Sequence, residues 1–73
     1  MKLYSYLTEM EARKLKASIV EAGLDIGGLA QKMQMSRSTL SARINGKTDF
    51  TRSEMENFAS IVGKSPSEIF FAN

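Results

Sequence analysis

Residues 24–47 read LDIGGLAQKMQMSRSTLSARINGK, and this stretch decides the fold. Asp25 is a residue type that caps helix N-termini, and Leu29, Ala30 and Met33 follow it on one helical face. Gln34-Met35 makes a short connection. Ser36 is a second good N-cap, and the helix it opens runs to about Asn45. Gly46 then supplies the residue type that ends a helix in the left-handed conformation. Two helices joined so tightly must cross steeply.

The face of the second helix is as telling as its ends. At about 100° per residue, Leu40 and Ile44 share one side. Ser38, Ser41, Ala42 and Asn45 lie opposite them, with Arg37 at the opening edge. A solvated helix face is usually built from Glu and Lys. This one carries small and hydroxyl side chains, with no acid between Ser36 and Thr48. Such a face can approach a polar, negatively charged surface without repulsion, and the major groove of DNA is such a surface and admits a helix.

Three blocks stand at a characteristic spacing: Leu29-Ala30-Gln31-Lys32-Met33, then Ser36-Arg37-Ser38-Thr39-Leu40-Ser41, then Ile44-Asn45-Gly46-Lys47. Together they resemble the helix-turn-helix of the Cro/repressor (Xre-like) family of phage and bacterial transcription regulators. The resemblance extends from about Leu15 to Phe71. It implies a compact, all-α, five-helix, lambda-repressor-like domain that takes in residues 1–73, with the helix-turn-helix at about 25–46. It further implies sequence-dependent binding of double-stranded DNA by a homodimer, and repression of transcription in a phage- or prophage-type setting.

By the same resemblance, Arg37, Ser38, Ser41 and Ala42 match the positions that face base edges. Their chemistry agrees. The planar fork of Arg37 fits the O6 and N7 acceptors of guanine, a pair that discriminates by ~1–3 kcal/mol, although a phosphate contact is open to it as well. Ser38 and Ser41 can donate or accept, and Ala42 offers a methyl suited to that of thymine. Thr39, Arg43, Asn45, Lys47, Thr48 and Arg52 form the set expected at the DNA backbone, where contacts position a protein but carry no sequence information. Of these, Thr39 can instead cap locally. Arg43 stands where many relatives have an aliphatic residue, and it is expected to snorkel outward to solvent or phosphate. Ile26 departs from the family, whose members often place a phosphate-binding Gln there; Ile26 is left a van der Waals or core role.

The flanking segments read as helices with legible ends. Thr8 to Ala22 forms one, with Thr8 and Glu11 spaced as a capping box and Ala12, Leu15, Ile19 and Ala22 as the buried stripe. Arg13, Lys14 and Lys16 point away from that stripe, to solvent or to phosphate. Gly27 and Gly28, in the first turn after Asp25, each cost up to ~1 kcal/mol relative to Ala, so they imply close backbone approach, either to a neighbouring helix or to phosphate. Thr51 to Val62 carries a second capping box, Thr51 with Glu54, and a staple of Phe50 on Met55. Its core stripe is Met55, Phe58, Ala59 and Val62. Ser65 to Phe71 repeats the capping box with Glu68 and places Pro66 at the first helical position. Ile69, Phe70 and Phe71 are consecutive and cannot all face one core; they are either the hydrophobic end of a small core or, as the resemblance implies, the dimer contact, to which they are assigned. Met1 to Leu7 is either a frayed terminus or an arm.

The totals narrow the alternatives. The chain has 73 residues, no Cys and no His. Disulfides, thiolate or imidazole metal sites and His-based catalysis are therefore excluded, and no nucleophile–base pair can be named. No enzyme, cofactor, metal or small-molecule ligand is expected. No apolar run approaches ~20 residues and no secretory leader is evident, so a cytoplasmic protein with no membrane contact is expected. The net charge of +2 is unevenly spread: residues 1–25 balance, 26–52 carry +4 and 53–73 carry −2. Positive charge on the helix pair and the loop after it suits a polyanion. The rival reading is a protein-interaction module, such as an antitoxin or accessory factor, with a partner on the Ser-rich face.

Overall fold

Four of the five helices begin at an oxygen-bearing cap that the sequence places: Asp25, Ser36, Thr51 and Ser65. In the computed structural model, which describes residues 9–70, the order is α1 (Glu9–Glu21), α2 (Ile26–Lys32), α3 (Arg37–Ile44), α4 (Arg52–Val62) and α5 (Pro66–Ile69), with no strand among the described residues. Asp25 Oδ1 accepts from Gly28 N at 2.7 Å, and Ser36 Oγ accepts from Thr39 N at 3.0 Å. Thr51 and Glu54 close a full capping box, each side chain accepting from the other's backbone N–H at 3.1 and 2.9 Å. Glu68 reaches back to the Ser65 N–H at 2.9 Å. Thr8 and residues 1–7 lie outside the described residues.

The helices end by one repeated device. After α1, α3 and α4 a glycine stands in the left-handed region, and the next residue's N–H returns to a carbonyl five back. These bonds are Leu24 to Ile19, Lys47 to Ala42 and Lys64 to Ala59, at 3.0, 2.9 and 2.9 Å. After α2 the same bond runs from Met35 to Ala30 at 3.0 Å, but the left-handed residue is Gln34, with φ 59°. That turn is what tilts α3 across α2.

All five helices feed one core. Leu15, Ile19, Leu29, Leu40, Ile44, Phe50 and Phe58 are fully buried. Helix α1 packs against α3, α4 and α5, while α2 packs against α3 and α4. The α1 stripe is corrected in one place: Ala22 is exposed and Ser18 is buried in its stead. Ala22 lies one residue beyond the end of α1, still bonded through its N–H to the Ser18 carbonyl at 3.1 Å but exposed, whereas Ser18 is three residues from Leu15 and faces inward. Its Oγ donates to the Lys14 carbonyl at 2.9 Å, so its burial leaves no unmet polar group.

The C-terminal aromatics are corrected more substantially. Ile69 and Phe70 were read as subunit contacts, but the chain covers both itself, at 6% and 7% exposure. Ile69 closes α5 and Phe70 caps it, its N–H on the Pro66 carbonyl at 2.9 Å, and the two positions are only about 100° apart, so the faces of α5 that meet α1 and α4 cover both. Phe70 turns inward and meets Phe50 and Phe58, with ring centroids 5.1 and 5.7 Å away and edge-to-face geometry, and Phe50 and Phe58 complete the trio at 5.9 Å. Phe71 lies outside the described residues.

The two glycines of α2 do not make the approach to a neighbouring helix that was one of the two expected of them. A Cβ on Gly28 would stand 3.2 Å from Asp25 Oδ1, and one on Gly27 would stand 3.7 Å from the same atom; no neighbouring helix comes within 4 Å of either. The closeness is to the helix's own cap.

Candidate nucleic-acid interface

Helix α3 is fastened to the core from one side only. Leu40 and Ile44 have no exposure, and the helix sits on α1 and α2 through them. The opposite side is therefore outward. Arg37, Ser38 and Asn45 are exposed, while Ser41 and Ala42 are half-buried and partly open to solvent. The structure thus brings the four residues expected at base edges onto one short helix, within two turns. Asn45 Nδ2 donates to Ser41 Oγ at 3.3 Å, which orients both groups along that face. Thr39 is half-buried, and its Oγ1 accepts from the capping Ser36 hydroxyl at 2.7 Å. The local-capping role open to Thr39 is thus in use.

The loop after α3 runs beside this face. The Ala42 carbonyl accepts from the N–H groups of both Lys47 and Thr48, at 2.9 and 3.3 Å, folding the loop back over the end of the helix. The Lys47 and Thr48 side chains are exposed. Arg52 is more remote, at the first position of α4. Its side chain is 86% exposed, and its 3.7 Å approach to Glu56 is a surface pair of the kind worth little.

Arg43 is not where the sequence put it. Its guanidinium does not turn outward but lies half-buried against α4. Nε donates to Glu54 Oε1 at 2.7 Å, Nη2 to Oε2 at 3.2 Å and Nη1 to Thr48 Oγ1 at 3.0 Å. The bidentate fork is the strongest arrangement open to an Arg–carboxylate pair. The hydrogen bond from Arg43, aided by the Thr51 N–H, holds the Glu54 carboxyl below the ordinary glutamate value of 4.5, against the opposing effect of burial. Sequence reasoning used Glu54 only as a cap and Arg43 only as a surface cation. Their signal was present as opposite charges at the end of one helix and the start of the next, but interhelical register is not written in the sequence.

Residues 11–69 match the family model described as helix-turn-helix. The chain belongs to the Xre/Cro-like helix-turn-helix family. The match runs from the first described turns of α1 to the end of α5, so it covers the core as well as the crossed pair α2–α3. As a member of this family the chain is a DNA-binding helix-turn-helix regulator, and the family is a regulatory rather than an enzymatic one. Among curated proteins and solved structures none matches the chain. No helix among the described residues is long and apolar enough to cross a membrane, and among those residues no group of His, Cys, Asp or Glu could hold a metal ion.

Proposed function

We propose that this regulator reads double-stranded DNA in a sequence-dependent way with α3 in the major groove and represses transcription from the site it binds. The observation that carries the reading is the outward face of α3. It is polar, free of acid, rigidly backed by Leu40 and Ile44, and flanked by the Lys47–Thr48 loop. Arg37, at the N-terminal end of the helix, would take a guanine edge; Ser38 and Ser41 would make tolerant polar contacts, and Ala42 a methyl contact. Asn45, Lys47, Thr48 and Arg52 would hold phosphates, and the Thr39 hydroxyl can donate to one while it accepts from Ser36.

Two copies are proposed per site. An eight-residue helix is about 12 Å long, so one copy spans only three to four base pairs at about 3.4 Å each. That is too little sequence to mark an operator. The molecule measures 30 × 22 × 21 Å, so two copies side by side can set their α3 helices ~34–36 Å apart on a two-fold site. Ile69 and Phe70 would not supply the contact, since both are committed to the core.

Selection of bound duplexes from a random pool tests the reading. A single motif with two-fold symmetry is expected. Arg37→Ala should relax the preference at one base pair per half-site, at a cost of ~1–3 kcal/mol. An Arg37→Ala protein that selects the same motif with the same stringency would remove Arg37 from base reading.

A further inference from the structure

Arg43 links three pieces of the interface at once, and nothing in the expected DNA contacts requires it to do so. It leaves the last turn of α3, grips both oxygens of Glu54 at the start of α4, and donates to Thr48 in the loop between them. Glu54 in turn accepts the Thr51 N–H at 2.9 Å and so fixes where the loop ends and α4 begins. The side chains of the pair are 20% and 21% exposed. Turning the guanidinium outward to a phosphate would leave the Glu54 carboxylate half-buried without its cation, an expensive state. An attraction to phosphate at that point would also be weakened by the acid beside it.

We propose that Arg43 and Glu54 form a brace that positions the Gly46–Phe50 loop against α3, and that Arg43 is a positioning residue rather than a DNA contact. The proposal deepens the reading of α3 and its loop as the DNA interface, and it rests on that reading. Two independent ties hold the loop: the Ala42 carbonyl takes the N–H groups of Lys47 and Thr48, and the Arg43 guanidinium takes the Thr48 hydroxyl. The first sets the backbone and the second ties it to α4. Together they keep the phosphate-side donors of the loop at a fixed offset from the base-side residues Ser38, Ser41 and Ala42. A site held in place before binding loses less order on binding and tolerates fewer wrong sequences.

The two roles predict opposite responses to one nearly isosteric change. Glu54→Gln removes a negative charge near DNA. If Arg43 were a phosphate ligand, freeing it in this way would tighten binding. If the pair is a brace, Glu54→Gln weakens binding to the selected duplex by about tenfold while binding to a random duplex pool holds or improves. Arg43→Gln should show the same loss of preference, the double variant should be no worse than either single one, and Arg43→Lys should recover only part.

The full chain and these variants would be titrated with the selected duplex and the random pool at several salt concentrations, and the amide resonances of Lys47 and Thr48 would be followed in the free protein. The brace predicts that both single variants move those resonances and lower the ratio of selected to random affinity. It is overturned if Arg43→Gln reduces the salt slope by about 0.9, one phosphate's worth, with the loop resonances unmoved, and Glu54→Gln binds as tightly as the unaltered chain or more so. Should the unaltered chain bind neither duplex, the DNA reading itself fails, and the loop resonances still decide whether the pair holds the loop.

Discussion

Gln34→Gly should stabilise this protein, although it removes a side chain and adds freedom to the unfolded state. The structure supplies the comparison. Four helices end with the same returning hydrogen bond, three of them with glycine in the left-handed position and α2 with Gln34 at φ 59°. A left-handed conformation costs an L-residue ~1–2 kcal/mol that glycine does not bear. Against that, the greater freedom of glycine in the unfolded chain costs ~0.4–1 kcal/mol. The difference leaves a gain of about 0.5–1 kcal/mol, which for a domain of this size raises Tm by about 2–8 °C. Thermal and urea unfolding followed by circular dichroism would read it. Gln34→Ala is the control, because it shortens the side chain but keeps the Cβ that causes the strain, and it should stay close to the unaltered chain. Gly63→Ala is the mirror experiment. A Cβ there meets nothing within 4 Å, yet φ is +75°, so the alanine should lose ~1 kcal/mol from backbone strain alone. If Gln34→Gly melts at or below Gln34→Ala, backbone strain at this position is not what limits stability; if Gln34→Ala melts well below the unaltered chain, the Gln34 side chain carries the turn.

Leu40→Ala should cost ~2–5 kcal/mol, the loss of buried carbons plus the cavity they leave, because Leu40 has no exposure and anchors α3; an unchanged Tm would show that α3 is not fastened through it. Phe70→Ala should cost ~3–5 kcal/mol by opening the Phe50–Phe58–Phe70 trio, and chemical denaturation at constant protein concentration would show it. A Phe70→Ala protein of normal stability whose association in sedimentation was changed would return Phe70 to a subunit contact. Acid should weaken the fold through Glu54, whose carboxyl is held low by Arg43, and through Glu68, held low by the Ser65 N–H. A depressed carboxylate contributes stability that is complete above its unfolded value near 4.5 and is lost as pH falls through the lower folded value. Urea midpoints should therefore be flat above that value and fall below it, and Glu54→Gln should flatten part of the decline; a midpoint that rises on acidification would contradict the assignment.

What could be read from the sequence was what depends on neighbours along the chain. Helix starts were legible at Asp25, Ser36 and Thr51 because capping needs an oxygen and an N–H only three residues apart. The buried faces of α3 and α4 were legible because a 3.6-residue period fixes which side chains share a side. What failed depends on where helices stop and how they meet. Ala22 was placed in the core because the stripe was continued one step past the end of α1. Phe70 was given to a partner because consecutive helical residues were taken to diverge too far for one core, whereas Phe50 and Phe58, brought from other parts of the chain, receive it beside Ile69. Gln34 gave no sign of its left-handed backbone, since Gln is not a residue type that advertises it. Arg43 was sent outward because its acceptor stands eleven residues away on another helix, and only packing brings the two together.

The most direct test of the central claim is fluorescence anisotropy of the purified chain with a labelled pool of random duplex DNA, titrated with salt and followed by selection of the bound fraction. The proposed interface sets two cations, Lys47 and Arg52, against phosphates in each copy; the Thr39, Asn45 and Thr48 donors are neutral and release no counterions. Log affinity should therefore fall with log salt at a slope of about −2 per copy, and the bound fraction should enrich one motif of two-fold symmetry. Absence of binding at low salt would contradict the account, and the acid-free face of α3 from Ser38 to Ala42 would then have to be the docking surface for a protein.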